Sequence, residues 1–426
     1  MRARWRRYGP ARGSEGKLRG GGGFCRRCAG WAWWDTRLPM RITSNNETVN
    51  LFCELVSNFS YEGKGDRHPH LRELTFWTGA GFSKAWWKHA PLVEELFEIP
   101  SDDLEPIVSA GPLYGLIGET SGNIGIDEVR DLLFRMDVFE RYPDLRSRYF
   151  DEWNARGLRN AIARSAVGRM EGTPILERFE GDGSHPSSNL SQDQQHIVRF
   201  FRKLKSHIDG SPGFANGLRY HFVSLNYDFV IESILRHTYE IDDSFLIYTY
   251  RGFTPLRING NEFPIRTPDH WLVMSLLKLN GGAEIYDFLD GYEVDYRRNC
   301  ARDESNFSPT PQIIMPTREQ NYNTPYHKAV LPKAVRLMRD THILVIVGYS
   351  LPDDDALMRF VLRQFAETVE DGRDKFIFFI GIEEDRDNFY KLRSLYPWTD
   401  GICAPRMFFY GGGFSSFAND CRKILC

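Results

Sequence analysis

The chain has 426 residues, 42% of them hydrophobic and 14% aromatic, which is enough for one large core or two joined domains. Its formal charge of −3 conceals an asymmetry: residues 1–39 carry ten Lys/Arg against two acids, and the rest is left with 44 basic and 55 acidic side chains out of totals of 54 and 57. An acidic body is a poor match for a long phosphate backbone, and no apolar run approaches the roughly 20 residues of a spanning helix, so direct nucleic-acid binding and membrane insertion are both disfavoured.

The seven cysteines are scattered and odd in number, which is not a disulfide framework and suits a reducing cytoplasm. Residues 1–39 are rich in Arg, Gly and Trp and show no period. Such composition can mark a transit peptide. Cys25-x-x-Cys28 has no second pair at ligand spacing, so no metal site is expected there. Met40 opens an ordinary polar start leading into Val49-x-Leu51-Phe52. The expectation is therefore a disordered or mis-called extension over 1–39 and a single domain over 40–426.

Apolar spacing predicts a helix over Asn46–Phe59 and a loop over Ser60–His70, with His68 and His70 lacking metal spacing. A short strand, Leu74–Trp77, runs into Gly79-Ala80-Gly81-Phe82-Ser83, and a helical pattern follows through Leu92, Val93, Leu96 and Phe97. Residues 127–210 read as a large helical insertion, with amphipathic stretches at Ile126/Val129/Leu132/Leu133 and Ile197/Phe200/Phe201/Leu204 and a loop over Gly181–Asn189. Tyr220–Leu225 is a strand ending at Asn226-Tyr227-Asp228, with a helix through Ile231, Ile234 and Leu235. Trp271–Leu279 is strand-like and ends at Asn280-Gly281-Gly282. Gln312–Met315 is a further strand, Ala329–Met338 a helix, and Ile343–Val347 a strand buried on both faces. The last stops at Gly348-Tyr349-Ser350. A helix then carries Asp353, Asp354 and Asp355 in its first turn and buries Leu357, Phe360, Val361 and Phe365. Phe376–Ile380 and Met407–Tyr410 are the final strands.

Strands alternating with helices predict an α/β fold: a Rossmann-like parallel sheet with helices on both faces and a large helical insertion. Glycines and polar residues fall just after strands, at Gly79, Asn226, Asn280 and Gly348. In open α/β sheets ligands bind at those carboxyl ends. Gly79–Ser83 suits a diphosphate, because absent Cβ atoms let the backbone approach and amide N–H groups favour its charge. It equally suits a tight strand-to-helix turn, and it lacks the third glycine of the dinucleotide fingerprint. Asn226–Asp228 suits a ribose hydroxyl or a water; it also suits a helix cap. Asn280 and Gly348–Ser350 carry the same two readings, ligand contact or turn. Trp86 and Trp87 suit either a ring stacked on nicotinamide or the core.

Taken in order, Gly79–Ser83, Ser224–Asp228, Lys278–Gly281, Ile313–Thr317 and Val347–Pro352 resemble the sirtuin-like NAD-binding family, over roughly Leu74 to Leu425. The likeness is to its bacterial anti-phage defence branch, whose members hydrolyse NAD to nicotinamide and ADP-ribose. The family's deacylases carry a four-cysteine zinc module between the asparagine and the late glycine motif. Here only Cys300 lies between Asn226 and Gly348, which implies water as the nucleophile and no metal. By the resemblance, Asn226 positions the water and the nicotinamide ribose. Gly79, Ala80, Gly81, Phe82 and Ser83 cradle the diphosphate of NAD, Gly348 and Ser350 hold the adenosine side, and Asp228 supports the ribose or the loop. Asn280 stands where the family usually has a histidine base. An amide takes no proton at neutral pH but can orient a hydroxyl. The resemblance further implies a cytoplasmic homo-oligomer, gated by assembly or by a HerA-type hexameric ATPase. A non-catalytic NAD or ADP-ribose sensor is the alternative, and an NAD-dependent protein deacylase a lesser one.

Overall fold

The computed structural model describes residues 44–61, 71–100, 123–145, 152–178, 189–209, 217–239, 255–262, 274–299, 310–317, 320–353, 355–367, 375–396 and 406–425. In chain order the strands are β1 (Leu71–Thr78), β2 (Gly217–Ser224), β3 (Arg257–Ile258), β4 (Asn261–Glu262), β5 (Leu276–Lys278), β6 (Gly281–Phe288), β7 (Gly291–Val294), β8 (Pro311–Ile313), β9 (Thr341–Val347), β10 (Phe376–Ile380) and β11 (Arg406–Tyr410). The helices are α1 (Asn45–Tyr61), α2 (Ala80–Trp86), α3 (Val93–Leu96), α4 (Ile126–Arg141), α5 (Glu152–Gly168), α6 (Gln192–Asp209), α7 (Val230–Tyr239), α8 (Pro325–Asp340), α9 (Ala356–Arg363), α10 (Arg386–Ser394) and α11 (Gly413–Ile424). None of the described helices is long and apolar enough to cross a membrane.

Six strands form one parallel sheet in the order β11-β10-β9-β1-β2-β5. The chain starts in the middle at β1 and builds outward in both directions, which makes the β9/β1 boundary a topological switch point. Register aligns the carboxyl ends. Thr78 faces both Ser224 and Val347, Ser224 faces Lys278, Val347 faces Ile380, and Ile380 faces Tyr410. Gly79, Asn226, Asn280 and Gly348, on four separate strands, therefore emerge along one edge. Every side chain of β9 and β10 is buried, as their unbroken apolar runs require.

Helices cover the sheet. Phe76 stands among Phe200 and Phe201 of α6, Phe222 of β2 and Phe414 of α11, at centroid distances from 5.2 to 6.4 Å. Phe52 of α1 meets Phe200, Phe378 and Phe417 at 6.2, 5.3 and 5.2 Å. Trp77, the next residue along β1 and so on the opposite face, meets Tyr349 at 6.1 Å. Each fully buried ring contributes roughly 1.5–3 kcal/mol, so these residues carry much of the sheet's stability.

The helices expected over 127–210 lie between β1 and β2 as α4, α5 and α6; two other expectations need correction. The ring cluster around Phe200 and Phe201 makes α6 part of the sheet's own cover, whereas α4 and α5 associate with the chain around β8, where Thr317 donates to Asp137 at 2.6 Å. Gln312–Met315 does not join the parallel sheet. Pro311–Ile313 pairs antiparallel with β6 in a second sheet, ordered β4-β3-β7-β6-β8. Apart from β6, the strands of this sheet are two to four residues long and carry too few alternations for sequence to expose it. Gly281 opens β6 with φ 81°, and a Cβ there would collide with the Gln312 carbonyl. Finally, α9 starts at Ala356, after the acids, and Phe360 is 50% exposed while Met358, Val361, Leu362 and Phe365 are buried. Two apolar stripes overlap in that sequence, and the one beginning a residue later faces the core. Of the strand expected over Trp271–Leu279, Leu276–Lys278 pairs with β2 as β5; residues 263–273, like the extension over 1–39, His68, His70, most of the loop over 181–189, Cys300 and Asp354, lie outside the described residues.

Candidate functional site

The site begins with backbone crossing backbone. Gly79 N–H donates to the Val347 carbonyl and Gly81 N–H to the Gly348 carbonyl, each at 3.0 Å. A Cβ on Gly79 would lie 2.5 Å from Gly348 O, and one on Gly81 would lie 2.5 Å from Gly348 Cα. Gly348 itself has φ 61°. The three glycines are thus required by the seam between the ends of β1 and β9. This revises the diphosphate cradle, because three of its amide donors are already committed, Phe82 N–H donating to the Gly79 carbonyl at 2.9 Å. Ala80 N–H, at the start of α2, has no partner among the described residues. Phe82 is buried and packs on Phe414 at 5.1 Å, so its ring belongs to the core and is withdrawn from the site.

Ser83 is revised as well. Its hydroxyl, 3% exposed, donates to Asp228 Oδ2 and accepts from Asn226 Nδ2 at 2.8 Å. A serine has one proton to give, and here it goes to a carboxylate rather than to a phosphate. Asn226 Nδ2 also donates to the Gly79 carbonyl at 2.8 Å. Both amide protons of Asn226 are therefore spent on holding the β1–α2 turn, and no described residue donates to its Oδ1. Asp228 accepts from Val230 N–H at 3.1 Å through Oδ1, a turn bond that ties it to the first residue of α7. Burial pushes the Asp228 carboxyl up, and the Ser83 bond and the nearby Lys278 ammonium partly offset that.

Asn280 stands beside Asn226. Its Nδ2 donates to the Leu225 carbonyl at 3.2 Å, and its Oδ1 lies 3.4 Å from the Tyr322 hydroxyl, whose shorter bond goes to Gln320 Oε1 at 2.8 Å. Asn226, Asp228, Ser83, Asn280, Gly79, Ala80, Gly81 and Gly348 thus converge on the edge where β1, β2, β5 and β9 end. Ser350 is exposed and has no hydrogen-bond partner among the described residues; the structure does not bind it into this cluster. Trp86 is buried, its indole donating to the Pro174 carbonyl at 3.2 Å, which is a core role.

Several groups at the site escaped the sequence reading. Tyr349 donates to Asp355 Oδ2 at 2.8 Å. Burial and then Asp355 raise the Tyr349 and Tyr322 phenols, so both stay protonated hydrogen-bond donors. Beneath Asp228 lies a sealed ionic cluster. Lys278 is 2.7 Å from Glu232 and 2.9 Å from Glu284, with all three side chains at or below 1% exposure. Burial and Glu284, opposed by Lys278, push the Glu232 carboxyl up to about 7. A signal for it existed: Glu232 interrupts Val230-Ile231-x-Ser233-Ile234-Leu235, an apolar helix stretch in which a lone acid has to be paired.

No family model matches this sequence, and no curated protein does. Among solved structures, the chain is similar to one described as the structural basis of sirtuin substrate affinity, at 14% identity and TM-score 0.35, covering 83% of this chain and 94% of that one. A Sir2 homologue–NAD complex is similar at 10% identity and TM-score 0.35, covering 87% and 93%. A mutant Sir2 homologue–ADP-ribose complex is similar at 10% identity and TM-score 0.36, covering 87% and 95%. At these TM-scores the likenesses carry no argument about activity; the strand order and register define the fold.

Proposed function

We propose that this chain is an NAD hydrolase that releases nicotinamide and ADP-ribose. One observation carries the reading: Asn226 is locked by both of its amide protons at the switch-point edge of a parallel sheet, with Oδ1 left as a fixed acceptor. An acceptor whose orientation is set before substrate arrives suits a step in which geometry does most of the catalysis. In this reading Oδ1 accepts from the attacking water or a ribose hydroxyl. Water adds to the anomeric carbon as the bond to nicotinamide breaks, the electron pair leaves with nicotinamide, and the water proton passes to solvent. Asn280 orients a hydroxyl through its amide, and the Leu225 carbonyl holds that amide in turn. Asp228 and Ser83 act on Asn226 rather than on substrate. The Ala80 N–H remains as a donor toward the diphosphate, and Gly348 and Ser350 are assigned to the adenosine side.

The same reading places the activity in NAD depletion during anti-phage defence, in the cytoplasm, by a homo-oligomer gated by assembly or by a HerA-type ATPase. A sensor of NAD or ADP-ribose is the second reading, and it is favoured by the absence of a base at Asn280. The deciding experiment incubates the protein from Met40, at high enzyme concentration, with NAD beside Asn226→Ala, following nicotinamide and ADP-ribose by chromatography. Release by the wild type alone is the expected result. NAD binding without release by either protein would favour the sensor, and equal release by both would overturn the role of Asn226.

A further inference from the structure

A lysine inside a protein core needs partners for three donors. Lys278, at the end of β5 and 1% exposed, has them as a tripod: Glu232 Oε1 at 2.7 Å, Glu284 Oε1 at 2.9 Å and the Asp228 carbonyl oxygen at 2.6 Å. The Phe229 ring lies 5.0 Å from the ammonium. Tyr296 donates to Glu232 at 3.2 Å, and Tyr326 donates to the Lys278 carbonyl at 2.8 Å. Burial works against the Lys278 charge, and the two glutamates outweigh it, so the ammonium stays charged. Buried ion clusters gain little stability over apolar side chains of the same volume. Their better-attested use is to fix one arrangement among several. Two legs of this tripod balance charge. The third reaches backbone, and that backbone belongs to the residue whose carboxylate holds Ser83, which in turn holds the Asn226 amide.

We propose that Lys278 is a positioning residue for Asn226: its ammonium clamps the Asp228 carbonyl and so fixes the turn over 226–229 that carries both Asn226 and Asp228. The catalytic half of this inference rests on the hydrolase reading given above. The clamp itself stands on hydrogen bonds and can be tested without substrate.

Lys278→Met alone would leave two buried glutamates uncompensated and would endanger folding. The test is the triple variant Lys278→Met/Glu232→Gln/Glu284→Gln, which removes the charges together. Hydrogen–deuterium exchange of the full chain is read over 79–86 and 225–230, with β10 as the internal control. The clamp requires exchange in both segments to quicken about tenfold while β10 is unchanged. For NAD cleavage, kcat falls about 10- to 100-fold and the Kd for NAD stays within about threefold, the pattern of lost positioning. Glu284→Gln, which keeps the legs to Glu232 and Asp228, serves as a second variant whose kcat stays within about threefold of wild type. Wild-type exchange rates in both segments of the triple variant, or a loss in Glu284→Gln as large as in the triple, would overturn the clamp. A wild-type protein that cleaves no NAD would count against the hydrolase reading instead, with exchange still deciding the clamp.

Discussion

Replacing Ser83 by alanine separates two roles that look alike in sequence. A hydroxyl that binds phosphate would cost affinity for NAD and leave the apoprotein intact. A hydroxyl spent inside the protein would cost stability instead. The structure gives Ser83 two bonds, one to the Asp228 carboxylate and one, at 2.8 Å, from the Asn226 amide. A bond to a charged group is worth about 1.5–3 kcal/mol and a neutral one about 1 kcal/mol, so Ser83→Ala is expected to cost about 3 kcal/mol at neutral pH. Both partners are buried or half-buried, so solvent does not restore the loss. Urea unfolding reads it as a lowered midpoint at unchanged slope. Acid supplies a control. The Ser83 bond holds the Asp228 pKa below the value burial alone would give, so the variant's Asp228 binds its proton more readily. The penalty is therefore full above that raised pKa and shrinks as pH falls through it. Turnover of NAD should fall about 10- to 100-fold with its Kd little changed, because Asn226 loses one of its two anchors. Unaltered stability together with a weakened Kd for NAD would refute this account and return Ser83 to the phosphate.

Gly81→Ala places a methyl 2.5 Å from the Gly348 Cα, with no flexible side chain to yield, and should cost about 1–3 kcal/mol by thermal denaturation; a neutral effect would mean the β1–β9 seam is looser than described. Glu232 holds its proton up to about 7 against an ordinary 4.5. The folded state binds that proton more tightly than the unfolded chain, so this contribution is full below about pH 4.5 and is lost as pH rises through about 7. Glu232→Gln removes that slope, and denaturant midpoints of both proteins at about pH 5 and about pH 8 measure it; parallel slopes would show that Glu232 does not titrate in this window.

The order of elements was legible because strand and helix periods are local properties. Unbroken runs such as Ile343–Val347 and Phe376–Ile380 have few other places to go than a doubly covered sheet. Polar residues just after strands then marked the carboxyl edge, and register brings Gly79, Asn226, Asn280 and Gly348 to it. Chemistry within that cluster was not legible, because hydrogen-bond partners are set in three dimensions. Nothing in Gly79–Ser83 reveals that Gly81 N–H is taken by a carbonyl 267 positions later, at Gly348, or that Ser83 gives its proton to Asp228. Phe360 looked buried and is not, since two apolar stripes compete on α9 and only tertiary packing selects one. Lys278, Glu232 and Glu284 come from a strand end, a helix and β6, the long strand of a second sheet whose other strands are too short to announce themselves. The sequence by itself determined which residues must be covered and where polar groups emerge, since burial and period are written locally. Tertiary structure alone decided which donors remain for a ligand, because each proton goes to the acceptor the fold brings nearest.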